Sequence, residues 1–219
     1  MKNFLKKTGH SILSVVIHIA YKIWTLGTWI LYRPKITYED GADKACLKQP
    51  CILIANHTSH KDGSFVPQAL CKCKMYVLVT SKWYDKKMIN VFFKNLRYIP
   101  INLNEMDNSW IDTARKVMEK GYSVLIFPEG KLSKDGKLGE FYPGFLMLSR
   151  LTDAPVIPVA VSGGYRKLHR QRILIGRKIA FDVHKAGRPS LIMKEGAEVC
   201  RQQMERMLEE INHAKMLKC

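Results

Sequence analysis

A histidine and an aspartate five residues apart, His57 and Asp62, lie in the run Asn56-His57-Thr58-Ser59-His60-Lys61-Asp62, directly after the apolar stretch Ile52-Leu53-Ile54-Ala55. An imidazole with an ordinary pKa of about 6.5 can take a proton at neutral pH, and a carboxylate beside it fixes its tautomer and stabilises the imidazolium that forms. At a strand-to-helix turn the two side chains can face one another. His57 is therefore a candidate general base and Asp62 the group that orients it. Such a base contributes roughly 10²–10⁴-fold to a reaction, so positioning and oxyanion stabilisation must supply the rest. The backbone N–H groups of the turn after His57 are the expected oxyanion donors. Asn56 and Ser59 are expected to hold the turn itself.

Three further blocks follow: Phe127-Pro128-Glu129-Gly130 after a second apolar run, a glycine in Tyr142-Pro143-Gly144-Phe145, and Ala154-Pro155-Val156-Ile157-Pro158-Val159. In this order, over about residues 50 to 185, the sequence resembles the glycerolipid acyltransferases of the lysophosphatidate acyltransferase type. The resemblance implies an α/β fold with a mostly parallel sheet flanked by helices. It also implies acyl transfer from acyl-CoA or acyl carrier protein to the hydroxyl of a lysophospholipid. The first expected acceptor is 1-acyl-sn-glycerol-3-phosphate, giving phosphatidate; another lysolipid or an amphiphilic acceptor is the alternative. The acyl thioester is a co-substrate and no cofactor is expected. Glu129 would bind acceptor hydroxyls or organise the Phe127–Gly130 turn, in which Phe127 and Pro128 are placed as turn-forming residues.

The sequence departs from the family pattern where that pattern carries arginines for the acceptor's phosphate. The block after Arg97 reads Tyr98-Ile99-Pro100-Ile101-Asn102-Leu103, and the glutamate block continues Gly130-Lys131-Leu132-Ser133. Arg97, Asn102, Gly130 and Lys131 are the residues expected to contact the acceptor instead. A lysine can supply the charge, though it lacks the bidentate fork of arginine.

Two other function classes fit parts of the sequence. Ser59 or Ser64 could be a histidine-activated nucleophile of a lipid or thioester hydrolase, although Gly-x-Ser-x-Gly is absent. A non-catalytic basic module could bind membrane or nucleic acid through charge, but this leaves the two motif blocks without a role. His60 is read as variable, and the remaining histidines as structural. His57, His60 and Asp62 match no zinc-binding spacing, so no metal is expected.

These residues need a scaffold, and the composition allows one. At 219 residues and 47% hydrophobic content the chain is long enough for one domain with a real core. Thirty-six Lys and Arg against nineteen Asp and Glu leave a net charge of +17, which calls for an anionic partner. Lys2, Lys6, Lys7, Lys22, Arg33 and Lys35 flank an apolar segment over residues 11–32. This pattern favours an anionic membrane surface over nucleic acid. Ser11, Ser14, His18, Lys22, Thr25 and Thr28 draw one polar stripe along that segment, which predicts an amphipathic helix lying in one leaflet rather than crossing it. The expected organisation is a membrane-associating helix over 1–35 and an acyltransferase domain over 36–219. The expected location is the cytoplasmic face of a membrane, held peripherally or monotopically. A second basic cluster, Arg166, Lys167, Arg170, Arg172, Arg177 and Lys178, could meet lipid or the phosphates of coenzyme A. The six cysteines read as free thiols of a reducing compartment.

Beyond a linker over 34–49, apolar runs at Cys51–Ala55, Tyr76–Thr80, Ile99–Leu103, Ser123–Phe127 and Val156–Val161 alternate with amphipathic ones, as in a parallel α/β sheet. A helix is predicted from a Ser109/Asp112 capping box to Gly121. A hairpin is predicted from Arg172–Ile175 and Ile179–Val183 around Gly176, and a packing helix over 195–217.

Overall fold

The structure is a computed structural model. It describes residues 2–81, 93, 96–102, 108–133, 136–165 and 169–216, with the backbone alone for 2–13, 46 and 214–216. Leu103, Arg166, Lys167, Leu217 and the side chains of Lys2, Lys6, Lys7 and Ser11 lie outside the described residues.

The short apolar runs and a segment of the supposed linker become the strands of one sheet, whose central members are buried on both faces. They are β1 (Lys35–Tyr38), β2 (Ile52–Ala55), β3 (Met75–Thr80), β4 (Tyr98–Ile101), β5 (Ser123–Ile126), β6 (Val156–Val161) and β7 (Arg172–Ile175). They pair in the order β1-β7-β6-β2-β5-β3-β4, and every pairing is parallel except β6 with β7. Parallel strands covered on both sides are necessarily apolar throughout, and β2, β5 and β6 have no exposed residue.

Alternation along the strands divides the core. Ile52, Ile54, Val124, Ile126 and Val156 face one side, against α3 (Ser109–Glu119), α4 (Gly144–Thr152) and α5 (Pro189–Met216). Leu53, Ala55, Leu125, Ile157 and Val159 face the other, against α2 (Asp62–Ala69) and Tyr32 at the end of α1 (Lys2–Tyr32). The expected α/β fold with a largely parallel sheet is the fold observed.

Three local expectations are corrected. No hairpin forms over 172–183, because β7 lies between β6 and β1 with both edges hydrogen-bonded, leaving no edge for Ile179–Val183. The linker over 34–49 is partly ordered: β1 supplies the outer partner of β7, and a 3-10 turn over Lys44–Lys48 follows, capped by the Asp43 carboxylate on the Ala45 N–H. Helix α3 starts at Ser109 itself and its N-cap is Asn108, which makes no side-chain cap bond, so Ser109 is not the capping residue of a box. Gly121 does close this helix, at φ +85°.

Helix α1 is oriented against the habit of soluble amphipathic helices. The C-terminal end of its polar stripe faces the protein, while His18 and Lys22 are exposed: the buried Thr28 hydroxyl donates to Gln68 Oε1 at 2.8 Å, and the Gln68 amide donates to the Thr25 carbonyl. Its apolar side, Val15, Val16, Ile19, Ile23, Trp24, Leu26, Trp29 and Ile30, is exposed, Ile23 to 67%. The stretch Ser14–Tyr32 is long and apolar enough to cross a membrane by length and composition.

The glycine of the Tyr142-Pro143-Gly144-Phe145 block has a packing reason. A Cβ at Gly144 would lie 2.9 Å from Cζ2 of the buried Trp110 on α3. Gly144→Ala is expected to lower the unfolding free energy by roughly 1–3 kcal/mol, as overpacked cores do. A urea titration checks it, and an unchanged midpoint would mean that α3 and α4 have slack at this contact.

Candidate active site

The site forms where β2 and β5 end. The two strands are paired with Ile54 beside Ile126, so continuing in register brings residue 57 beside residue 129. The His57 N–H donates to Glu129 Oε1 at 2.8 Å, and the Gly139 N–H donates to Oε2 at 3.0 Å. Glu129 is only 2% exposed, and both its oxygens are occupied by backbone. It holds the turn and does not present a carboxylate to an acceptor. Of the two roles the resemblance allowed, the geometry supports the organising one.

Asn56 secures the other flank. Its Nδ2 donates to the Val161 carbonyl at 3.0 Å and its Oδ1 accepts the Val161 N–H at 2.7 Å. This buried amide thereby extends the β2–β6 pairing past the last backbone pair. Gly130 turns the chain at φ +63°, where a side chain would be strained, and its N–H reaches the Phe127 carbonyl at 3.1 Å. Pro128 is buried, and its carbonyl accepts the Tyr142 N–H at 2.8 Å.

Between these fixed points the chain passes from His57 into α2, and Asp62, the first residue of that helix, points back at the turn. Its Oδ2 lies 3.2 Å from His57 Nδ1 and also accepts the N–H groups of Thr58 and Ser59, each at 2.8 Å. The carboxylate is fully buried. An ionised carboxylate accepts and does not donate, so Nδ1 carries the proton and Nε2 is the basic nitrogen. The imidazole also stacks on Phe127, with centroids 4.2 Å apart and 24° between planes, so the ring is held on its face as well as its edge. Ser59 behaves as a turn residue: its carbonyl accepts the Asp62 N–H at 2.9 Å and its hydroxyl the Lys61 N–H at 3.3 Å.

The expected oxyanion donors are corrected by the same bonds. The N–H groups of His57, Thr58 and Ser59 are all spent on the two carboxylates, so the turn after His57 has none of these three to offer a developing oxyanion.

His57 opens on a cleft of about 640 Å³ lined mostly by apolar groups, among them Trp24, Val77, Leu78, Val79, Ile101 and Phe127. His60, Gly130 and Lys131 line it too. Among the described lining residues Lys131 is the one permanent cation. Arg97 is elsewhere. It precedes β4, and in a parallel sheet that places it at the opposite end from the site, with its guanidinium 4.9 Å from the Tyr122 ring centroid. Its assignment to the acceptor is therefore corrected. Asn102, just past β4, is at the correct end of the sheet but does not line the cleft.

Sequence reasoning missed two participants. Lys61 reaches Tyr32 of α1, with Nζ 2.8 Å from the hydroxyl, and Tyr165 donates its hydroxyl to Asp62 Oδ1. Tyr165 carries no motif; it lies 103 residues beyond Asp62, and nothing in the local pattern marks it. Glu129→Ala is expected to destabilise the fold by roughly 1–3 kcal/mol for each of the two backbone N–H groups left unpaired. Equilibrium unfolding checks this, and a change below ~0.5 kcal/mol would mean that water replaces the carboxylate.

Comparison with known proteins agrees with this architecture. The chain is 25% identical over 159 residues to a probable 1-acyl-sn-glycerol-3-phosphate acyltransferase of Mycoplasma genitalium, covering 70% of this chain and 59% of that protein. It is 29% identical to the chloroplastic 1-acyl-sn-glycerol-3-phosphate acyltransferase LPAT1 of Arabidopsis thaliana, over 67% of this chain and 41% of that one. It is 32% identical to the 1-acyl-sn-glycerol-3-phosphate acyltransferase of Cocos nucifera, over 62% and 43%. The chain thus spans about half the length of these curated relatives. The crystal structure of the 1-acyl-sn-glycerophosphate acyltransferase PlsC from Thermotoga maritima superposes with a TM-score of 0.57 at 19% identity, covering 94% of this chain and 83% of that one, and so shares the fold. The acyltransferase family model matches residues 34–162, more than half of the sequence, and the chain belongs to that family.

Proposed function

We propose that this protein transfers an acyl group from a thioester donor, acyl-CoA or acyl carrier protein, to the hydroxyl of 1-acyl-sn-glycerol-3-phosphate, giving phosphatidate. The observation that carries the reading is the His57–Asp62 pair, aligned at 3.2 Å at the mouth of an apolar cleft that also holds Lys131. Nε2 of His57 takes the proton of the acceptor hydroxyl as its oxygen attacks the thioester carbonyl. The tetrahedral intermediate collapses with loss of a thiolate. A thiol of pKa near 8.5 makes that a good leaving group, which needs little acid assistance. The imidazolium, stabilised by Asp62, returns its proton to the thiolate. The apolar cleft lining suits an acyl chain, and the Lys131 ammonium suits the acceptor's phosphate. The names of the relatives support this acceptor.

The same reading places the exposed apolar side of α1 in the interface of an anionic membrane, which brings lysolipids to the enzyme by lateral diffusion. Ser64 lines the cleft, but its hydroxyl donates to the Lys61 carbonyl at 3.1 Å, an engagement that does not favour a serine nucleophile.

Acyl transfer from labelled acyl-CoA or acyl carrier protein to a panel of lysolipids tests the reading. His57→Ala is expected to lower kcat by roughly 10²–10⁴-fold. Undiminished transfer without His57, or release of free fatty acid with no acyl acceptor, would refute it. Lys131→Ala is expected to raise KM for lysophosphatidate about tenfold with little change for a lysolipid lacking a phosphomonoester; equal effects on both acceptors would remove Lys131 from headgroup recognition. Replacing Ile23 and Trp24 together with glutamate is expected to release the protein from vesicles containing anionic lipid, measured by sedimentation. Undiminished binding would exclude this face of α1 as the anchor.

A further inference from the structure

We propose that Tyr165 is a positioning residue for the His57–Asp62 pair: its hydroxyl locks one oxygen of the Asp62 carboxylate so that the other stays aligned on the imidazole. The inference rests on the reading of this pair as the proton-transfer device.

The Asp62 carboxylate is divided in its bonding. Oδ2 receives His57 Nδ1 and the two N–H groups of Thr58 and Ser59, while Oδ1 receives the Tyr165 hydroxyl. Without the second anchor the carboxylate could twist about its Cβ–Cγ bond, a broad and easily moved torsion, and three bonds on one oxygen would loosen together. Tyr165 can act as an anchor because its own ring is boxed. It meets Tyr32 edge-on at 5.1 Å and 83°, and Phe65 edge-on at 5.4 Å and 89°. The Lys61 ammonium stands 5.5 Å from its centroid and 5.0 Å from that of Tyr32. A hydroxyl on a ring packed in this way cannot follow a moving partner; the partner must stay where it is.

The bond also sets the sign of an electrostatic effect. Burial and the neighbouring Asp62 charge push the Tyr165 hydroxyl well above the ordinary tyrosine range, so it remains a donor throughout the working pH range. A donor on Oδ1 draws negative charge away from the carboxylate and weakens its hold on the imidazolium. Removing the donor restores that charge but also frees the carboxylate to turn from the ring, and with the aligned bond lost the imidazolium is held less firmly, so His57 gives up its proton at lower pH. Among the described residues, the other titratable groups around the pair are Glu129 on the His57 N–H, Lys61 and Tyr32 beside Tyr165, and Tyr21, Tyr98, His60 and Lys131 along the cleft. Of these, Lys61 and Tyr32 adjoin the Tyr165 ring, which Tyr165→Phe keeps in place.

The test is Tyr165→Phe, which removes one oxygen and keeps the ring. In acyl transfer measured against pH, kcat is expected to fall on the order of tenfold with KM for the acceptor held within about twofold, and the acidic limb to move to lower pH. In an Asp62→Asn background the same change is expected to cost less than about twofold, because Tyr165 would act through the carboxylate. The titration of His57 followed by NMR provides a readout that needs no turnover: its midpoint is expected to fall in Tyr165→Phe, where alignment is lost, and to fall also when residue 165 is 3-fluorotyrosine, which packs alike and by donating more strongly draws charge from Asp62. An unmoved midpoint in both, or equal losses of kcat in the two backgrounds, would overturn the proposal. Absence of transfer to every acceptor by the unmodified protein, with the His57 midpoint still moving, would count against the proposed reaction and in favour of Tyr165 as the positioning residue.

Discussion

Two buried carboxylates organise the candidate site of this molecule. An ionised carboxylate taken out of water costs several kcal/mol unless its lone pairs are met. Asp62 and Glu129, both essentially inaccessible, meet that demand with backbone. Asp62 collects the N–H groups of Thr58 and Ser59, and Glu129 those of His57 and Gly139. Every peptide from 57 to 59 is therefore tied to a charge that cannot move without being exposed or orphaned. The conformation of the turn, and with it the direction of the His57 ring, follows from satisfying these two groups. The ends of β2 and β5, the loop bearing Gly139 and the loop bearing Tyr165 are all drawn to the same spot for the same reason.

That arrangement has a chemical consequence. Peptide groups that hold carboxylates are not available to an oxyanion, so in the proposed reaction charge stabilisation has to come from the other cleft-lining groups. The pair itself is well prepared. His57 is oriented at Nδ1 by Asp62 and across its face by Phe127, which confines the ring to one orientation before any substrate arrives. Preorganisation of this kind lowers the reorganisation needed at the moment of proton transfer.

The helix that faces away from the protein is physically joined to this centre. Tyr32 ends α1, accepts a hydrogen bond from Lys61 one residue before Asp62, and packs against Phe65 and Tyr165. Thr28 and Gln68 make a second tie between α1 and α2. In a soluble helix the polar stripe would face water; here its Thr25 and Thr28 end is engaged by Gln68 of α2, and the apolar residues are left outside. An apolar side left exposed in this way gains by being covered, which is the physical basis of the proposal that α1 rests on a membrane.

Helix α2 shows how local rules and tertiary contacts meet. Pro67 sits inside it and has no N–H to give to the Gly63 carbonyl four residues back. That carbonyl instead accepts the Tyr98 hydroxyl at 3.3 Å from β4. The helix is short, yet it carries Asp62 at its first position, where a carboxylate is also favoured by the helix dipole.

The sequence by itself determined the strand runs other than β1, the parallel α/β class and the His57–Asp62 and Phe127–Gly130 blocks. These are written in local periodicity and spacing: an apolar run of four to six residues, a histidine just beyond it, an aspartate at the first turn of the following helix. It could not decide the fate of groups whose partners are distant in the chain. Whether Glu129 faces an acceptor or a backbone depends on the β2–β5 register. Arg97 is lost to the site because parallel strands put it at the wrong end of the sheet, although it is near the motif in sequence. The predicted hairpin failed because β1, from the supposed linker, had taken the edge it needed. Tyr165 reaches Asp62 across 103 positions, and only the closing of the sheet brings them together. Local sequence specifies which atoms can do the chemistry, and the long-range pairing of strands specifies which of them share a site.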